Sequence, residues 1–580
     1  MFPMISAMAA VLVAWALLST LLIGLGLAVA RLAGIRRLDM DQLLVAFWMG
    51  LAATIAGLQW WHFLFPVTEA IYLLLVPLAW LGFHGRVAEI LGLLRGGLNS
   101  SPLAVTSIVL AAIWLANLAI GPCNSIDSGM YHLNVIRWTT DYAIVPGLGN
   151  LHVRLGSNQS GLLFSALLDT GIGRGRSHHI GNSLLLVNLV VLSICCLERW
   201  RCSNRRWTSD LFAGILLVSA IQMANHWIST FNTDPHPALA LYIAAWRLLA
   251  YWEMRDEPSA TRSYELLVVA TMLALAVVMK LTALFYVVAA SLLLVTLVVG
   301  VRRTCDRRHA LIGWACAGLL LVAPWLGRGV LLTGYPLYPS TLLAAPVPWR
   351  VPSELVDAER EHIRAFARVH EWAFDPMRRA SWEGWNWLGR WWSLAERDLL
   401  VPAGLVLVAG LLLPLAWRRL SSDARRSLLL LMPALVGIVC WFGTAPDQRF
   451  GFFHWWIAAG LMLSLLLSRA NIAMRPGWRS STALAVLLLA MANIKNPYQG
   501  TGEDAGFHPL PVARATPLTT DSGLQVWVPR EWKLCWDAPL PCTPFFNPLL
   551  RLRRSDDLSS GFVLDPPPVR LAGPGHRPHW

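Results

Sequence analysis

Charged side chains are scarce in this chain of 580 residues. Only 14% of the residues are Asp, Glu, Lys or Arg, whereas soluble proteins carry roughly a quarter. Hydrophobic residues make up 56% of the chain, and the mean hydropathy is +0.52. This shortage of charge excludes an ordinary soluble domain and predicts an integral membrane protein.

Several common motifs are also absent. The glycines of GLGNLH (147–152) and GIGRGR (171–176) do not have the spacing of a dinucleotide fingerprint and do not follow a strand, which excludes nucleotide binding there. The net charge of +13 is not gathered in a basic domain, so we expect no nucleic-acid partner. The first ten residues lack Lys and Arg, unlike a signal peptide, and we expect the first apolar run to be retained as a span.

Cysteine is infrequent, with nine residues in the chain. Cys535 and Cys542 stand close together in the segment CWDAPLPC. A disulfide is one interpretation of this pair, if the compartment is oxidising. Zinc binding is disfavoured because a second pair of ligands is missing.

Apolar runs are what the chain has in quantity. Many of them approach the roughly 17–25 residues that a membrane-spanning helix needs. They predict an all-α integral membrane protein, a helical bundle of about 12–14 spans. The candidate spans are centred on 5–30, 41–58, 66–83, 102–120, 181–198, 208–224, 236–253, 264–279, 284–300, 311–331, 399–416, 427–443, 452–468 and 481–494.

The distribution of Lys and Arg orients these spans. Short basic loops, such as residues 31–37, alternate with connections that are poor in Lys and Arg. Cytoplasmic loops collect Lys and Arg. We therefore expect the N-terminus, the loops 121–180 and 332–398, and the tail 495–580 on the extracytoplasmic side.

Two regions follow from this topology. Residues 1–494 are expected to form the transmembrane domain, with a helix near 353–372 in its second large outer loop. Residues 495–580 contain several prolines and short extended pieces, which predict a small, irregular extracytoplasmic cap.

The first outer loop holds the most conspicuous carboxylate, Asp127. It precedes a short helix expected at 128–142, where apolar side chains recur at helical spacing. Asp127 could cap that helix by accepting hydrogen bonds from exposed amides. It could also serve as a general base or anchor a metal, and Ser125 and Ser128 offer alternative caps that would free it.

The turn-rich segment 145–160 contains His152 and Arg154, and His132 lies in the preceding helix. A loop with so many hydrogen-bond donors outside a membrane suits a phosphate or a hydroxyl-rich group. These three side chains are therefore candidates for substrate binding.

A short outer turn at 225–237 carries Asp234 and His236 on either side of a proline. The proline keeps both residues out of a continuous helix. They could belong to a solvated turn, or they could join Asp127 and His132 around one divalent cation such as Mg²⁺ or Mn²⁺.

Three cations stand at the outer ends of apolar runs, namely Lys280, Arg328 and Arg449. A cation within a membrane is costly and marks a functional candidate, although one near the interface can extend into water instead. Arginine can bind phosphate through two parallel hydrogen bonds, and lysine acts as a point charge. Together the three would suit a substrate that carries one or two phosphates.

These segments also carry a family resemblance. The chain resembles an uncharacterised group of bacterial polytopic proteins, and its layout is similar to the GT-C superfamily of membrane glycosyltransferases, which includes protein O-mannosyltransferases and lipid A aminoarabinose transferases. The matching pieces are IDSGMYHLNVIRW (126–138), VPGLGNLHVRLGSNQS (145–160), STFNTDPHPAL (229–239), MKLTAL (279–284), RGVLLTGYPLYP (328–339), APDQRFGFF (445–453) and CWDAPLPCTP (535–544).

The resemblance implies a function in the bacterial inner membrane. A sugar would pass from a polyprenyl-phosphate donor to a glycan, lipid or protein acceptor at the extracytoplasmic face, with Asp127 as the general base. Many GT-C enzymes have two adjacent acidic residues in a loop after the first span, whereas here Asp127 stands without an acidic neighbour after the fourth predicted span. This departure leaves the dependence on a metal open.

Two other functions are compatible with the sequence. A transporter or flippase of a lipid-linked sugar or other polar solute would suit the number of spans, but it should have ionisable residues near the span centres. A sugar-polymer ligase or polymerase would work without a catalytic Asp and would rely on outer arginines and a histidine.

Overall fold

The computed structural model describes residues 2–202, 208–254, 259–300, 304–370, 379–420, 422–469, 477–499, 506–530 and 533–565. Helices dominate this part of the chain. The helices of its first half are α1 (Phe2–Leu32), α2 (Met40–His62), α3 (Tyr72–Phe83), α4 (Val87–Ser100), α5 (Pro102–Ala119), α6 (Leu133–Asp141), α7 (Leu148–Leu151), α8 (Gly161–Leu168), α9 (Ser177–Cys202), α10 (Thr208–Trp227), α11 (Pro235–Glu253) and α12 (Ser259–Met279).

The second half continues the bundle and ends in short strands. Its helices are α13 (Leu284–Gly300), α14 (Thr304–Ala317), α15 (Ala323–Thr333), α16 (Ser353–Val369), α17 (Arg379–Trp382), α18 (Leu388–Ser393), α19 (Arg397–Ala416), α20 (Ser422–Ser427), α21 (Met432–Thr444), α22 (Gln448–Arg469) and α23 (Trp478–Met491). The strands are β1 (Ala515–Thr519), β2 (Gln525–Pro529), β3 (Leu550–Leu552) and β4 (Phe562–Leu564), paired antiparallel as β1–β2 and β3–β4.

The chain is an all-α polytopic membrane protein. Within the described residues, nine helices are long and apolar enough to cross a membrane, and a tenth span results if the bent pair Glu69–Phe83 and Val87–Gly97 counts as one. Each of the fourteen predicted spans overlaps a helix. The lower number arises because some of these helices are shorter or more polar than a lipid-facing span.

Helices α10 and α11 illustrate the difference. Almost every residue of both is buried, although they carry polar side chains such as Gln222 and Arg247. Helices inside a bundle touch protein rather than lipid and so tolerate polar residues that pair with neighbours. They form the centre of the bundle, against α9, α12 and α22.

Glycines allow the first two helices to cross closely. A Cβ on Gly26 of α1 would lie 1.8 Å from the carbonyl oxygen of Ala46, and one on Gly50 of α2 would lie 1.8 Å from that of Leu22. Small residues permit such close backbone approach between membrane helices. Substitution at either position would force α1 and α2 apart.

The C-terminal strands form the irregular cap that the composition predicts. The structure joins Cys535 and Cys542 in a disulfide, which decides between the two interpretations of that pair. The Trp536 amide donates to the Gly129 carbonyl at 2.9 Å, and the Phe562 amide donates to that of Pro146 at 2.9 Å. The cap therefore rests directly on the first outer loop.

Candidate functional site

Asp127 begins the short helix that the sequence predicts. A π-helical turn, Ser128–His132, leads into α6, and the Asp127 side chain makes no capping hydrogen bond. The Ser125 hydroxyl accepts a long hydrogen bond from the Ser128 amide at 3.4 Å instead. The carboxylate of Asp127 is thus left to partners from elsewhere in the chain.

Two arginines hold that carboxylate from opposite sides. Nη1 of Arg154 lies 3.4 Å from Oδ1 of Asp127, and Nη1 of Arg449 lies 3.2 Å from Oδ2. Burial would raise the pKa of Asp127, but Arg449 and Arg154 outweigh it and lower the pKa to about 2. Asp127 is therefore ionised at neutral pH and is a weak base while both arginines remain in place.

A second carboxylate, Asp234, lies close to the first. It precedes α11, its side chain is 1% exposed, and Oδ1 forms an ion pair with Lys280. Oδ2 has no hydrogen-bond partner among the described residues and lies 3.8 Å from Nη1 of Arg449. One nitrogen of Arg449 consequently stands between Asp127 and Asp234.

A break in the backbone places Lys280 here. Helix α12 ends at Met279, Lys280 is extended, and the chain resumes helix in α13 after a 3-10 turn. The Ser160 amide donates to the carbonyl of Val278 at 3.0 Å, which fixes the first outer loop to the end of α12. Nζ of Lys280 lies 5.1 Å from the centre of the Phe450 ring, within cation–π distance.

Arg449 is oriented from its own helix terminus. It occupies the first turn of α22, and Nη2 lies 3.2 Å from Oδ2 of Asp447. Its guanidinium carbon is 5.8 Å from the ring centre of Phe366 in α16 and 5.6 Å from that of Phe450. These contacts leave the side chain one-third exposed, at 34%.

We call this group the outer charge cluster, after the predicted topology in which it lies on the extracytoplasmic side. Its members are Asp127, Arg154, Asp234, Lys280, Glu359, Asp447 and Arg449. Three basic side chains face four carboxyl groups, so the cluster has one more acid than base. An anionic ligand would have to take cations away from the carboxylates, or to bind together with a further cation.

Neutral histidines adjoin the cluster. His132 is 1% exposed, neither of its ring nitrogens has a hydrogen-bond partner in the described part of the chain, and burial lowers its pKa to about 4. Nε2 of His236 contacts Oδ1 of Asn182 at 2.8 Å. Gly161 makes room for this ring, because a Cβ there would lie 2.1 Å from Nδ1 of His236.

The predicted metal ligands Asp127, Asp234 and His236 are engaged in other contacts. Oδ2 of Asp234 and Nδ1 of His236 have no hydrogen-bond partner within the described ranges, but the first lies 3.8 Å from Nη1 of Arg449 and the second packs against Gly161. Asp127 is held by Arg154 and Arg449, so a divalent ion would have to replace a guanidinium there. The metal site therefore stays a prediction.

A different trio has its ligand atoms close together. Within the part of the chain that the structure describes, His226, Glu396 and Asp398 have one ligand atom each within 4.8 Å of one another. The trio lies where α10 ends and α19 begins. Two of its three members are exposed.

Arg328 forms hydrogen bonds with residues that do not belong to the cluster. Its side chain is 5% exposed and contacts Nδ1 of His62 at 2.6 Å and Oδ1 of Asn158 at 3.2 Å. These groups line a narrow cavity of about 20 Å³. The role of Arg328 in phosphate binding stays a prediction, and its contacts associate it with this separate cavity.

His152 lies beside one end of the outer charge cluster, in the same cavity wall as Arg154 and Glu359. It is 3% exposed and lines a cavity of about 60 Å³ together with Arg154. Glu359 completes that wall, with Oε1 lying 3.2 Å from Nε of Arg154. Sequence reasoning did not single out Glu359, because it is one of several acidic residues on α16 and has no local motif.

Comparison with known proteins gives one result. A family model described as a domain of unknown function, DUF8201, matches residues 8–456. The chain belongs to this family. The DUF8201 match contains every residue of the outer charge cluster, and the C-terminal cap lies beyond it. No curated protein and no solved structure matches the chain.

Proposed function

We propose that the protein is a GT-C-type glycosyltransferase of the bacterial inner membrane. It transfers a sugar from a polyprenyl-phosphate donor to an acceptor hydroxyl at the extracytoplasmic face. The observation that carries the proposal is the contact of Asp127 with Arg449, whose same nitrogen approaches Asp234, the partner of Lys280. A candidate base and two candidate phosphate ligands thus share one cluster.

Exchange of partners gives this cluster a mechanism. The donor phosphate binds Lys280 and Arg449, which weakens the hold of Arg449 on Asp127. Loss of that neighbouring charge raises the pKa of Asp127 from about 2 and makes it a better base. The base becomes effective only when the donor is bound.

The transfer step forms one bond at the sugar and breaks another. The acceptor oxygen attacks the anomeric carbon of the sugar, and its proton passes to Asp127. The bond between the anomeric carbon and the phosphate oxygen breaks, and the electron pair stays on the polyprenyl phosphate. Lys280 and Arg449 stabilise the developing charge on that leaving group.

A transfer assay with purified protein tests the proposal. The substrates are polyprenyl-phosphate hexoses, and the variant Asp127→Asn removes the base while keeping size and hydrogen bonding. We expect the rate to fall by roughly 10²–10⁴-fold, the usual contribution of a general base. Asp141→Asn is the matched control, because Asp141 lies in the same segment (121–180), is exposed, and accepts a hydrogen bond from the Thr140 hydroxyl.

The outcomes separate this function from its alternatives. A protein that flips lipid-linked sugar in proteoliposomes with Asp127→Asn unimpaired would be a transporter. Transfer that survives Asp127→Asn but not Arg449→Gln would indicate the ligase or polymerase class.

A further inference from the structure

A cavity of about 60 Å³ lies against Arg154, which also contacts Asp127. Three parts of the chain enclose it: the first outer loop, α16 and the C-terminal cap. Among the residues that line it are His152, Arg154, Leu355, Glu359, Phe545 and Asn547. A buried water needs about 10–15 Å³ of such space, so the cavity has room for several waters or for the edge of a small ring.

His152 supplies unsatisfied hydrogen-bonding capacity in this cavity. Its side chain is 3% exposed, and neither ring nitrogen has a partner within the described part of the chain. Burial lowers its pKa to about 3, so the ring is neutral at physiological pH and offers one donor and one acceptor. A hydroxyl-bearing ligand that reached these nitrogens would supply the missing hydrogen bonds.

The remaining walls disfavour a charged ligand. Arg154 and Glu359 are paired within the cavity wall at 3.2 Å, so a cation would meet the guanidinium and an anion would meet the carboxylate. Planar charged groups of this kind can bind neighbouring hydroxyls through paired hydrogen bonds. A neutral ligand with several hydroxyls fits this pair best.

An apolar surface completes the cavity. The ring centre of Phe545 lies 5.5 Å from that of His152, and Leu355 lies in the same wall. Small-molecule sites are commonly apolar with a few placed polar groups. A sugar ring has this dual character, with C–H faces for an aromatic side chain and hydroxyls around its edge.

We propose that this cavity binds a neutral sugar ring of the acceptor. The assignment of the ring to the acceptor depends on the proposed glycosyl transfer, whereas sugar binding itself does not. Arg154 joins the two sites, since Nη1 contacts Asp127 and Nε contacts Glu359. A ring held here would share Arg154 with the proposed base, Asp127.

Saturation-transfer NMR tests the binding directly. The probes are the methyl glycosides of glucose, galactose, mannose and N-acetylglucosamine, and the protein is kept in a detergent that contains no sugar. We expect saturation of at least one glycoside by the full-length protein. The variant His152→Phe fills the cavity and removes both ring nitrogens. It should weaken the binding of that glycoside about tenfold.

Two further variants keep the test decisive. Glu359→Gln preserves the size of the side chain and should also weaken binding, which covers the case in which His152→Phe does not fold. His84→Phe is the matched control, because His84 is exposed at the end of α3. Its glycoside binding should equal that of the unchanged protein.

The results distinguish failure of this inference from failure of the proposed function. The sugar cavity is overturned if none of the four glycosides shows saturation. It is also overturned if His152→Phe and Glu359→Gln give the same saturation as the unchanged protein. Either result holds even if transfer depends on Asp127. Glycoside binding that requires His152 supports the cavity. If donor turnover in the same protein does not require Asp127, the proposed base is overturned while the cavity stands.

Discussion

Two groups of ionised side chains lie at opposite ends of α11 and α12. The outer charge cluster lies where α11 begins and α12 ends. The other group, which we call the inner ion network, lies at the far ends of the same helices. Its members are Asp41, Arg199, Asp210, Arg247 and Glu265.

The inner ion network is fully paired among its own members. Arg247 has no exposed side-chain surface, and it donates to Glu265 at 2.6 Å and to Asp41 at 2.9 Å. The other oxygen of Asp41 pairs with Arg199, which also binds Asp210. Such a network ties α2, α9, α10, α11 and α12 together and has no free capacity for a ligand.

The outer charge cluster is incompletely satisfied. Oδ2 of Asp234 accepts no hydrogen bond within the described residues, and His132 has no partner there. Exposure does not separate the two groups, because Arg449 and Asp127 are 34% and 20% exposed while Arg199 and Asp41 of the inner network are 31% and 19% exposed. The difference is in the unpaired polar atoms. The comparison indicates that the inner network maintains the fold, whereas the outer cluster can exchange its partners for a substrate.

The largest difference should appear when each group loses an arginine. Arg247→Leu leaves the buried Glu265 without its partner and Asp41 with Arg199 alone, which costs about 3–5 kcal/mol and should abolish stable insertion. Arg201→Leu is the control, because its pair with Glu198 is partly exposed and contributes only about 0–1 kcal/mol. Yield and thermal unfolding are measured for both variants. A normally stable Arg247→Leu protein would contradict the assignment of the inner ion network to the stability of the fold.

Arg449→Gln should show the opposite pattern. The protein should fold, because Arg449 is partly exposed, but donor turnover should fall by roughly 10²–10³-fold as the charge on the leaving phosphate loses a donor. Turnover and thermal midpoint are measured on the same preparation. Arg360→Gln, on the exposed face of α16, should change neither, and parallel losses of stability and turnover in Arg449→Gln would assign Arg449 to the fold.

Lys280→Gln should have a smaller effect than Arg449→Gln, and the effect should be on the KM for the donor. Loss of one charge-assisted hydrogen bond costs about 1.5–3 kcal/mol, so the KM for the donor should rise by about tenfold or more. Kinetics at varied donor concentration separate KM from kcat. Lys495→Gln serves as the control, since Lys495 is exposed and its ammonium donates to the Asn225 carbonyl. An unchanged KM would remove Lys280 from the phosphate site.

The smallest effect concerns pH. The folded-state pKa of Asp127 is about 2, below its ordinary value of 3.8. Its contribution to stability is therefore fully present above pH 3.8 and is lost as the pH falls through 3.8 towards 2. Between about pH 5 and 8 the contribution of Asp127 to thermal stability should be constant. A difference between the unchanged protein and Asp127→Asn that varies within that window would contradict the arrangement.

Sequence alone predicted the helical bundle because apolar runs of span length report directly on helices in a membrane. It also placed a helix near 353–372, which the structure has at Ser353–Val369. The number of spans was less accessible, because buried helices such as α10 and α11 carry polar residues whose partners come from distant parts of the chain.

The candidate site was predictable in part for a similar reason. Local signals found Asp127, Asp234, Lys280 and Arg449, since ionisable groups at the ends of apolar runs are unusual. Their pairing could not be deduced, because Asp127 and Arg449 are 322 positions apart. Sequence pattern does not reveal that two arginines hold Asp127, and this contact determines its pKa.

A structure of the protein with bound polyprenyl phosphate would test the central claim most directly. The account predicts phosphate oxygens within hydrogen-bonding distance of Lys280 and Arg449, with the contact between Arg449 and Asp127 broken. Phosphate bound elsewhere, with Asp127 still held by Arg449 and Arg154, would contradict it.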